Sequence, residues 1–491
     1  MTRRRLGNIV RDEDEGVPDA RPTTALVLTA GLAAEAMGGR LVAGRRDEPV
    51  RGVSIDSRTL ARGDLFIAIR GERFDGHAFV GRAMDAGAMG AVVTRQEATW
   101  TASWPLGGVL ILVDDTTRAL QALARHVRRA SGSQVVAITG STGKTTTKEV
   151  AAAFLELRYR VLRSSGNLNN HIGLPLSLLG LCSRPDIAVV ELGMNHPGEI
   201  STLVAIADPD VRVWTNVSEV HSAFFPSLEA IADAKAEVLE GATSRGVLVA
   251  NADDPLVMAR ARRFAGPVKT FGTNPSADVW ASGIEELGLD GTAATVHTAA
   301  GTAALRTPLV GRGNLSNVLA AAAVALQYEV PLGPIVERAA SLRPAPRRGE
   351  VIRLAGGVTL VDDSYNSNPR ALQVALQVAA RERRCARRIA VLGEMLELGD
   401  GSMALHEACG HAAASAGLDV LVTVGGEPAR ALGTAAVGAG MPAAAVSHAA
   451  TSDEAAAMMV RLVRPGDLVL VKGSRAVRTD AVIERLTVEF G

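Results

Sequence analysis

Residues 138–147 read Ile-Thr-Gly-Ser-Thr-Gly-Lys-Thr-Thr-Thr. Gly140 and Gly143 let the backbone turn tightly and present consecutive N–H groups to phosphate oxygens, with Ser141 and Thr142 between them. Lys144 then reaches the β- and γ-phosphates, the Thr145 hydroxyl can ligate Mg²⁺, and Thr146 continues the run. A helix starting at Lys144 would aim its positive end at the same anion. The spacing is that of a shortened phosphate loop, since the full pattern has glycine where this chain has Ile138. A plain glycine turn joining strand to helix is the alternative; the strand-turn-helix context and the three threonines favour a nucleotide.

A nucleoside triphosphate is bound with a divalent cation, which needs oxygen ligands. Glu191 ends the apolar run 187–190, where its carboxylate would face the phosphate loop across a sheet; a surface acid at a strand end is the alternative. His221 follows the strand-like segment 211–219. On chemistry alone it reads as a structural histidine ahead of a ligand, because Mg²⁺ prefers oxygen.

Lysine usage adds a second clue. Among 52 basic residues only Lys144, Lys148, Lys235, Lys269 and Lys472 are lysine. Arginine replaces lysine easily on a solvated surface, but not where a compact point charge or a titratable amine is needed. Lys235, on an amphipathic helix around 229–239, therefore stands out from an ordinary surface lysine. Lys148, one helical turn past Lys144, is expected to add to the field at the phosphate loop, and Lys269 suggests no role.

These residues must be positioned by an alternation of strands and helices. Residues 134–140, 186–193 and 211–219 are apolar strands with polar or glycine ends, the pattern of a mostly parallel sheet that gathers its chemistry at the carboxyl ends of its strands. An alanine-rich helix over 314–330 closes that unit, and Val-Pro-Leu-Gly-Pro at 330–334 is the expected linker. Strands or strand ends near 358, 387, 419 and 467 then form a second doubly wound unit. The predicted fold class is α/β with three domains. After a disordered, mixed-charge tail at 1–22 come a small mixed α/β N-terminal domain at 23–106, a central P-loop mononucleotide-binding, parallel-sheet domain at 107–330, and a C-terminal Rossmann-like domain at 331–491.

Composition bounds the function classes. The chain has 491 residues, a length for about three domains. Its 52 basic residues balance 52 acidic ones and aromatics are 3%, which argues against a nucleic-acid or anionic-membrane partner. Scattered Cys182, Cys385 and Cys409 suggest neither a disulfide framework nor a metal cluster. No apolar run approaches the about 18 residues of a membrane span, and the first residues lack the hydrophobic core of a secretory signal, so a cytoplasmic location is expected.

Taken together, the phosphate loop with GNLNNHIGLPL (166–176), ELGMNHPGEI (191–200), NVSEVH (216–221), NADDP (251–255), DDSYNSNP (362–369), LGEMLELG (392–399) and KGSR (472–475) resembles the Mur ligases of peptidoglycan synthesis. Within that family, the segments at 166–176, 191–200 and 362–366 are similar to those of the member that adds D-alanyl-D-alanine to UDP-N-acetylmuramoyl-tripeptide. The resemblance implies that the first domain binds the UDP-sugar substrate, the central one binds ATP, and the third is a ligase domain closing over the site. It implies ATP-dependent amide formation through an acyl-phosphate, with ATP and Mg²⁺ as cofactors; separately, a monomer is expected. The resemblance also assigns roles. Lys144, Lys235 and His221 are implied to be catalytic. Thr145, Glu191, His221 and Lys235 (as a carbamate) would ligate Mg²⁺. Asn314, Asn317, Arg348 and Asp363 would contact ATP, although Gly313 stands where the family often has histidine and Arg347 where it usually has glycine. Ser57, Arg58, Asn169, Asn170, His171, Tyr365, Asn366, Lys472 and Arg475 would contact the substrates. The competing readings are a sister ligase adding D-glutamate or a diamino acid, a folylpolyglutamate synthase-like enzyme, and a P-loop ATPase module that ligates nothing. The last leaves residues 56–58 and 166–176 without a role.

Overall fold

The computed structural model describes residues 25–71, 74–95, 104–218 and 225–491. The expected tail at 1–22 and His221 lie outside the described residues.

The first sheet is built from β1 (Arg40–Ala43), β2 (Gly52–Ser54), β3 (Asp64–Ile67), β4 (Gly90–Thr94) and β5 (Val109–Val113), in the order β1-β5-β4-β3-β2. Only the β1–β5 pair is antiparallel. Side chains alternate between its faces: Val109, Ile111 and Val113 join one core, Leu110 and Leu112 the other. The expected break at 106/107 is therefore misplaced, because β5 is a central strand of this first sheet, hydrogen-bonded to both β1 and β4. The helix Thr116–Ser131 bridges the two units, with Leu120 and Leu123 in the first core and Ala124 and Val127 in the next. Because the strand-helix alternation runs unbroken through 107–131, the pattern offered nothing to mark the boundary.

The central sheet has nine strands: β6 (Gln134–Thr139), β7 (Val161–Arg163), β8 (Ile187–Glu191), β9 (Val211–Trp214), β10 (Val247–Asn251), β11 (Val268–Gly272), β12 (Val279–Glu286), β13 (Thr292–Thr298) and β14 (Gly301–Thr307). Their order is β14-β13-β12-β11-β10-β9-β6-β8-β7. β6 to β12 are parallel, and β12–β14 form an antiparallel meander. The chain leaves β6 between β8 and β9, the point where strand order reverses and a crevice opens at the carboxyl ends. The helices Lys144–Leu155 and Arg312–Gln327 cover one face together.

The expected linker at 330–334 is instead the start of a helix, Leu332–Ala340, whose Ile335 and Ala339 are buried in the central core. Pro331 holds the cap position at φ −66° and Pro334 lies in the first turn, where a missing N–H breaks no intrahelical bond. The passage to the third domain comes later, in 341–349. That domain's sheet comprises β15 (Glu350–Arg353), β16 (Thr359–Asp363), β17 (Arg388–Gly393), β18 (Val420–Val424), β19 (Val446–Ala449) and β20 (Leu468–Lys472). Their order is β15-β16-β20-β17-β18-β19, parallel apart from β15, with a hydrophobic core on each face. This is the doubly wound architecture expected. Among the described residues, no helix is long and apolar enough to cross a membrane.

Candidate active site

The loop after β6 has its backbone fixed by close approach. Gly140 has φ 146° and Gly143 φ 80°, and a Cβ on them would lie 2.0 Å from Thr215 Oγ1 and 2.2 Å from Asn317 Oδ1. No side chain fits at either position, whatever its chemistry. The end of β9 props the loop from below. Thr215 Oγ1 donates to the Thr142 carbonyl (2.8 Å), and Asn216 Oδ1 accepts the Thr142 N–H (3.0 Å) and hydroxyl (3.1 Å). Ser141 Oγ donates to the Ser218 carbonyl (3.0 Å) and accepts the Ser218 N–H (2.9 Å). Asn251 Nδ2 in turn donates to the Thr215 carbonyl (2.7 Å), and Asp254 accepts the Val217 N–H (2.7 Å). None of Thr215, Asn216, Ser218, Asn251 and Asp254 was anticipated as a site residue. The motifs at 216–221 and 251–255 were the available signal, and among their described residues Asn216, Ser218, Asn251 and Asp254 shape the phosphate loop. Thr146 sits half-buried in the first turn of the following helix.

Lys144 Nζ donates to the carbonyls of Gly140 (2.8 Å) and Ser141 (3.3 Å). Burial pulls its pKa down; the Glu191 carboxylate opposes this, and the charge of Arg348 adds to it. Lys235 is 2% exposed on the helix Leu228–Ala236. Burial, reinforced by the Lys144 charge, drives it well below the ordinary 10.5. Such an amine is shifted towards its neutral, nucleophilic form.

Glu191, 4% exposed at the end of β8, is the meeting point of two segments. Its Oε2 accepts the Thr145 hydroxyl (2.8 Å) and its Oε1 accepts the Asn169 side-chain amide (2.8 Å). Asn169 is itself fixed by the Gly193 N–H on its carbonyl (2.8 Å). Among the described residues no group of three His, Cys, Asp or Glu stands together. The hard oxygens of Glu191 and Thr145 nevertheless fit Mg²⁺, which takes one or two protein oxygens and completes its shell with water and phosphate.

Asn317 is buried against the loop, with Oδ1 accepting the Thr147 hydroxyl (3.3 Å) and Nδ2 donating to Asn314 (3.3 Å); Asn314 donates to the Val310 carbonyl (3.0 Å). Asn170 serves its own chain: its side-chain oxygen accepts the Gly173 N–H (2.8 Å) at the start of the helix Gly173–Leu179. His171 is exposed. In the first domain, Ser57 and Arg58 occupy the turn after β2, where Arg58 pairs with Asp56 (2.7 Å). That bond holds the Asp56 carboxyl at about 2.

The third domain contributes its own strand ends. Lys472, buried at the end of β20, donates to Asp363 Oδ2 (2.6 Å) at the end of β16 and to the Asn366 carbonyl (3.0 Å). The Arg348 guanidinium stacks over the Tyr365 ring at 4.0 Å, with Arg475 at 5.6 Å from the same ring. Arg347 is turned away, at φ 63°, and pairs with Asp480 (2.8 Å) and Glu484 (3.3 Å). Of the two adjacent arginines, Arg348 is thus the one whose charge acts on Lys144. Beside them the loop after β17 is pinned by residues outside the expected set: His406 Nε2 accepts the Met395 N–H (2.9 Å) and Ser474 Oγ the Leu396 N–H (2.9 Å).

Comparison with known proteins matches residues 49–128 to the Mur ligase family catalytic domain, 138–325 to the Mur ligase middle domain and 347–475 to the Mur ligase glutamate ligase domain. The UDP-N-acetylmuramoyl-tripeptide–D-alanyl-D-alanine ligase of Bacillus subtilis is 34% identical over 89% of this chain and 93% of its own length. A MurF crystal structure from Acinetobacter baumannii superposes with a TM-score of 0.84 at 30% identity, covering 94% of this chain and 99% of that one. MurF from Thermotoga maritima, solved in complex with ADP, gives 0.76 at 29% identity over 90% and 98%.

Proposed function

The chain belongs to the Mur ligase family, and on that premise we propose that it joins D-alanyl-D-alanine to UDP-N-acetylmuramoyl-tripeptide, with ATP cleaved to ADP and phosphate. The observation that carries this reading is the convergence on Glu191 of Thr145, from the nucleotide loop, and Asn169, from the 166–176 segment. One buried carboxylate links a phosphate-binding element to a segment with no place in a plain ATPase. The relatives over nearly the full chain support the same choice against the sister ligases.

In the reaction, the terminal carboxylate of the tripeptide attacks the γ-phosphorus and the bond to ADP breaks, giving an acyl-phosphate. The dipeptide amine then attacks the acyl carbon, phosphate leaves, and the amine proton is lost. Two anions must approach in the first step. Lys144 and the loop N–H groups supply fixed positive charge where negative charge gathers, and Arg348 adds a second cation from the third domain. Mg²⁺, when bound between Thr145, Glu191 and the phosphates, would lower the same repulsion. Lys235, as a carbamate, would offer a further anionic oxygen there, a role arginine cannot take. The strand ends bearing Asp363, Tyr365 and Lys472 form the facing wall, and a closed cleft keeps water from the acyl-phosphate.

The deciding experiment is a coupled ADP-release assay. ADP should appear only with UDP-tripeptide and D-alanyl-D-alanine together. Equal turnover with a single amino acid would favour a sister ligase, and turnover with ATP alone would favour the ATPase module.

A further inference from the structure

The amine of Lys148 is bonded to the Ser164 carbonyl, whereas its spacing suggested a part in the field at the phosphate loop. Its side chain is 0% exposed, and its amine donates to the Ser164 carbonyl at 2.6 Å. Glu149 Oε1 balances the charge at 3.0 Å, and Glu149 Oε2 accepts from Arg163 at 3.0 Å. Ser164 is the residue at which the chain leaves the edge strand β7; its N–H donates to the Val189 carbonyl of β8 (3.1 Å). Five residues later Asn169 reaches Glu191, which Thr145 also touches. The segment 164–169 is therefore held at both ends by residues tied to one helix turn: directly by Lys148, and through Glu191 by Thr145.

From this closed circuit we propose that Lys148 is a positioning residue for segment 165–171, setting affinity for the peptide end of the UDP-sugar substrate and not for the nucleotide. The proposal rests on the function proposed above and on the expectation, from the family resemblance, that Asn169, Asn170 and His171 contact the substrates. The physical reason for lysine is the site's shape. One buried carbonyl needs one donor at the end of an unbranched stem; a planar guanidinium is bulkier, and an apolar side chain leaves the carbonyl unpaired. The lysine shortlist thus contains a residue whose reach and compactness suit a buried carbonyl rather than a phosphate.

The test compares wild type with Lys148→Met and Lys148→Gln, the glutamine keeping a donor. In the ADP-release assay, Lys148→Met should raise KM for UDP-tripeptide by about tenfold or more while KM for ATP stays within about twofold, as loss of one buried charged hydrogen bond predicts. Lys148→Gln should fall between. Hydrogen exchange in the substrate-free protein should speed up at 165–171 and not at 140–147. A uniform drop in kcat with both KM values intact, or unchanged exchange at 165–171, overturns the proposal. If Lys148→Met does not fold, Lys148→Gln carries the same comparison. A wild-type enzyme that ignores UDP-tripeptide would instead sink the functional reading, while the exchange measurement still judges Lys148.

Discussion

The guanidinium of Arg348 lies 4.0 Å from the centre of the Tyr365 ring, face-on, while its charge acts on Lys144 across the domain boundary. The ring holds a long, flexible cation in the direction of the phosphate loop. Removing the cation should therefore cost more than removing its support. Arg348→Ala is expected to lower kcat by about 10²- to 10³-fold, the usual loss for one preorganised charge-stabilising group. Tyr365→Phe should be near wild type and Tyr365→Ala lower by about tenfold or less, as an exposed cation–π contact is worth about 0.5–1 kcal/mol. Steady-state kinetics on the three variants decides. A Tyr365→Phe loss as large as that of Tyr365→Ala would mean the hydroxyl, not the ring, is what matters.

Glu191 has both oxygens engaged by neutral donors, Thr145 and Asn169. Glu191→Gln keeps shape but removes the anion, so half-maximal Mg²⁺ should rise steeply and kcat fall. Asn169→Ala leaves the carboxylate charged but frees it to rotate; its Mg²⁺ requirement should shift less than its KM for UDP-tripeptide. Titrating Mg²⁺ at saturating ATP separates the two. Equal Mg²⁺ shifts for both variants would contradict the division of labour.

Much of this was legible in the residues and some was not, for identifiable reasons. Local patterns revealed the phosphate loop, Glu191 and the strand ends at Asp363 and Lys472, because glycine spacing and apolar runs with polar ends have direct structural meaning. The lysine census marked Lys235, Lys472 and Lys148, but could not say which way Lys148 pointed. One helical turn from Lys144, with the amine turned to Ser164, its partner lies in a segment 16 residues on. The props under the loop, Thr215 and Asn216, are contacts between neighbouring strands β6 and β9, whose pairing skips over β7 and β8 in sequence. For Asn170 the expectation was a substrate contact with loop capping as the alternative, and its side-chain oxygen makes that local bond at the helix start. The boundary errors at 107 and 330 come from long-range contacts that composition does not encode: strand pairing places β5 in the first sheet, and core packing places the helix Leu332–Ala340 on the central domain.

Lys235 leads to a pH and CO₂ prediction. Its amine is buried and pushed well below 10.5. Between that lowered value and 10.5 the unfolded chain holds a proton that the folded chain has lost, so stability should rise with pH through this window. The neutral amine is also the form that captures CO₂. Activity should fall after CO₂ is stripped, return with bicarbonate, and need more bicarbonate at lower pH. Lys235→Arg should not respond. Wild-type turnover indifferent to bicarbonate would remove the carbamate from the mechanism.

His406 carries the same sign of pH dependence into the acid range. Nε2 accepts from Met395, Nδ1 donates to the Ser402 carbonyl (2.7 Å), and burial holds the ring below its ordinary 6.5. The folded protein thus keeps this imidazole neutral while the unfolded chain takes up a proton as pH drops through 6.5. More protons bind the unfolded state there, so stability is lost on acidification, by up to about 1.4 kcal/mol per pH unit. Denaturant unfolding of wild type and His406→Gln between about pH 5 and pH 7 should show a flatter slope for the variant. Parallel slopes would show that the imidazole is not the group responsible.

Leu289 raises the question of what holds the third domain to the second. It sits at the tip of the β12–β13 hairpin of the central sheet, yet is 5% exposed in a core with Val361, Leu372 and Leu376 of the third domain. Around it Asp290 pairs with Arg353 (2.9 Å) and Arg384 (2.5 Å) of the third domain, and Glu286 with Arg381 of the third domain and, within the second, with Arg312 (3.0 Å). The ion pairs are more numerous, but their arginines are more than half exposed, and exposed pairs contribute about 0–1 kcal/mol each. Emptying a filled apolar site costs about 2–5 kcal/mol. The plug should therefore dominate. In calorimetry, Leu289→Ala should lower the melting temperature of the third domain and separate it from that of the second, while Asp290→Asn leaves a single, barely shifted transition. Were Asp290→Asn to cost as much as Leu289→Ala, the charged rim and not the buried leucine would be the anchor on which closure turns.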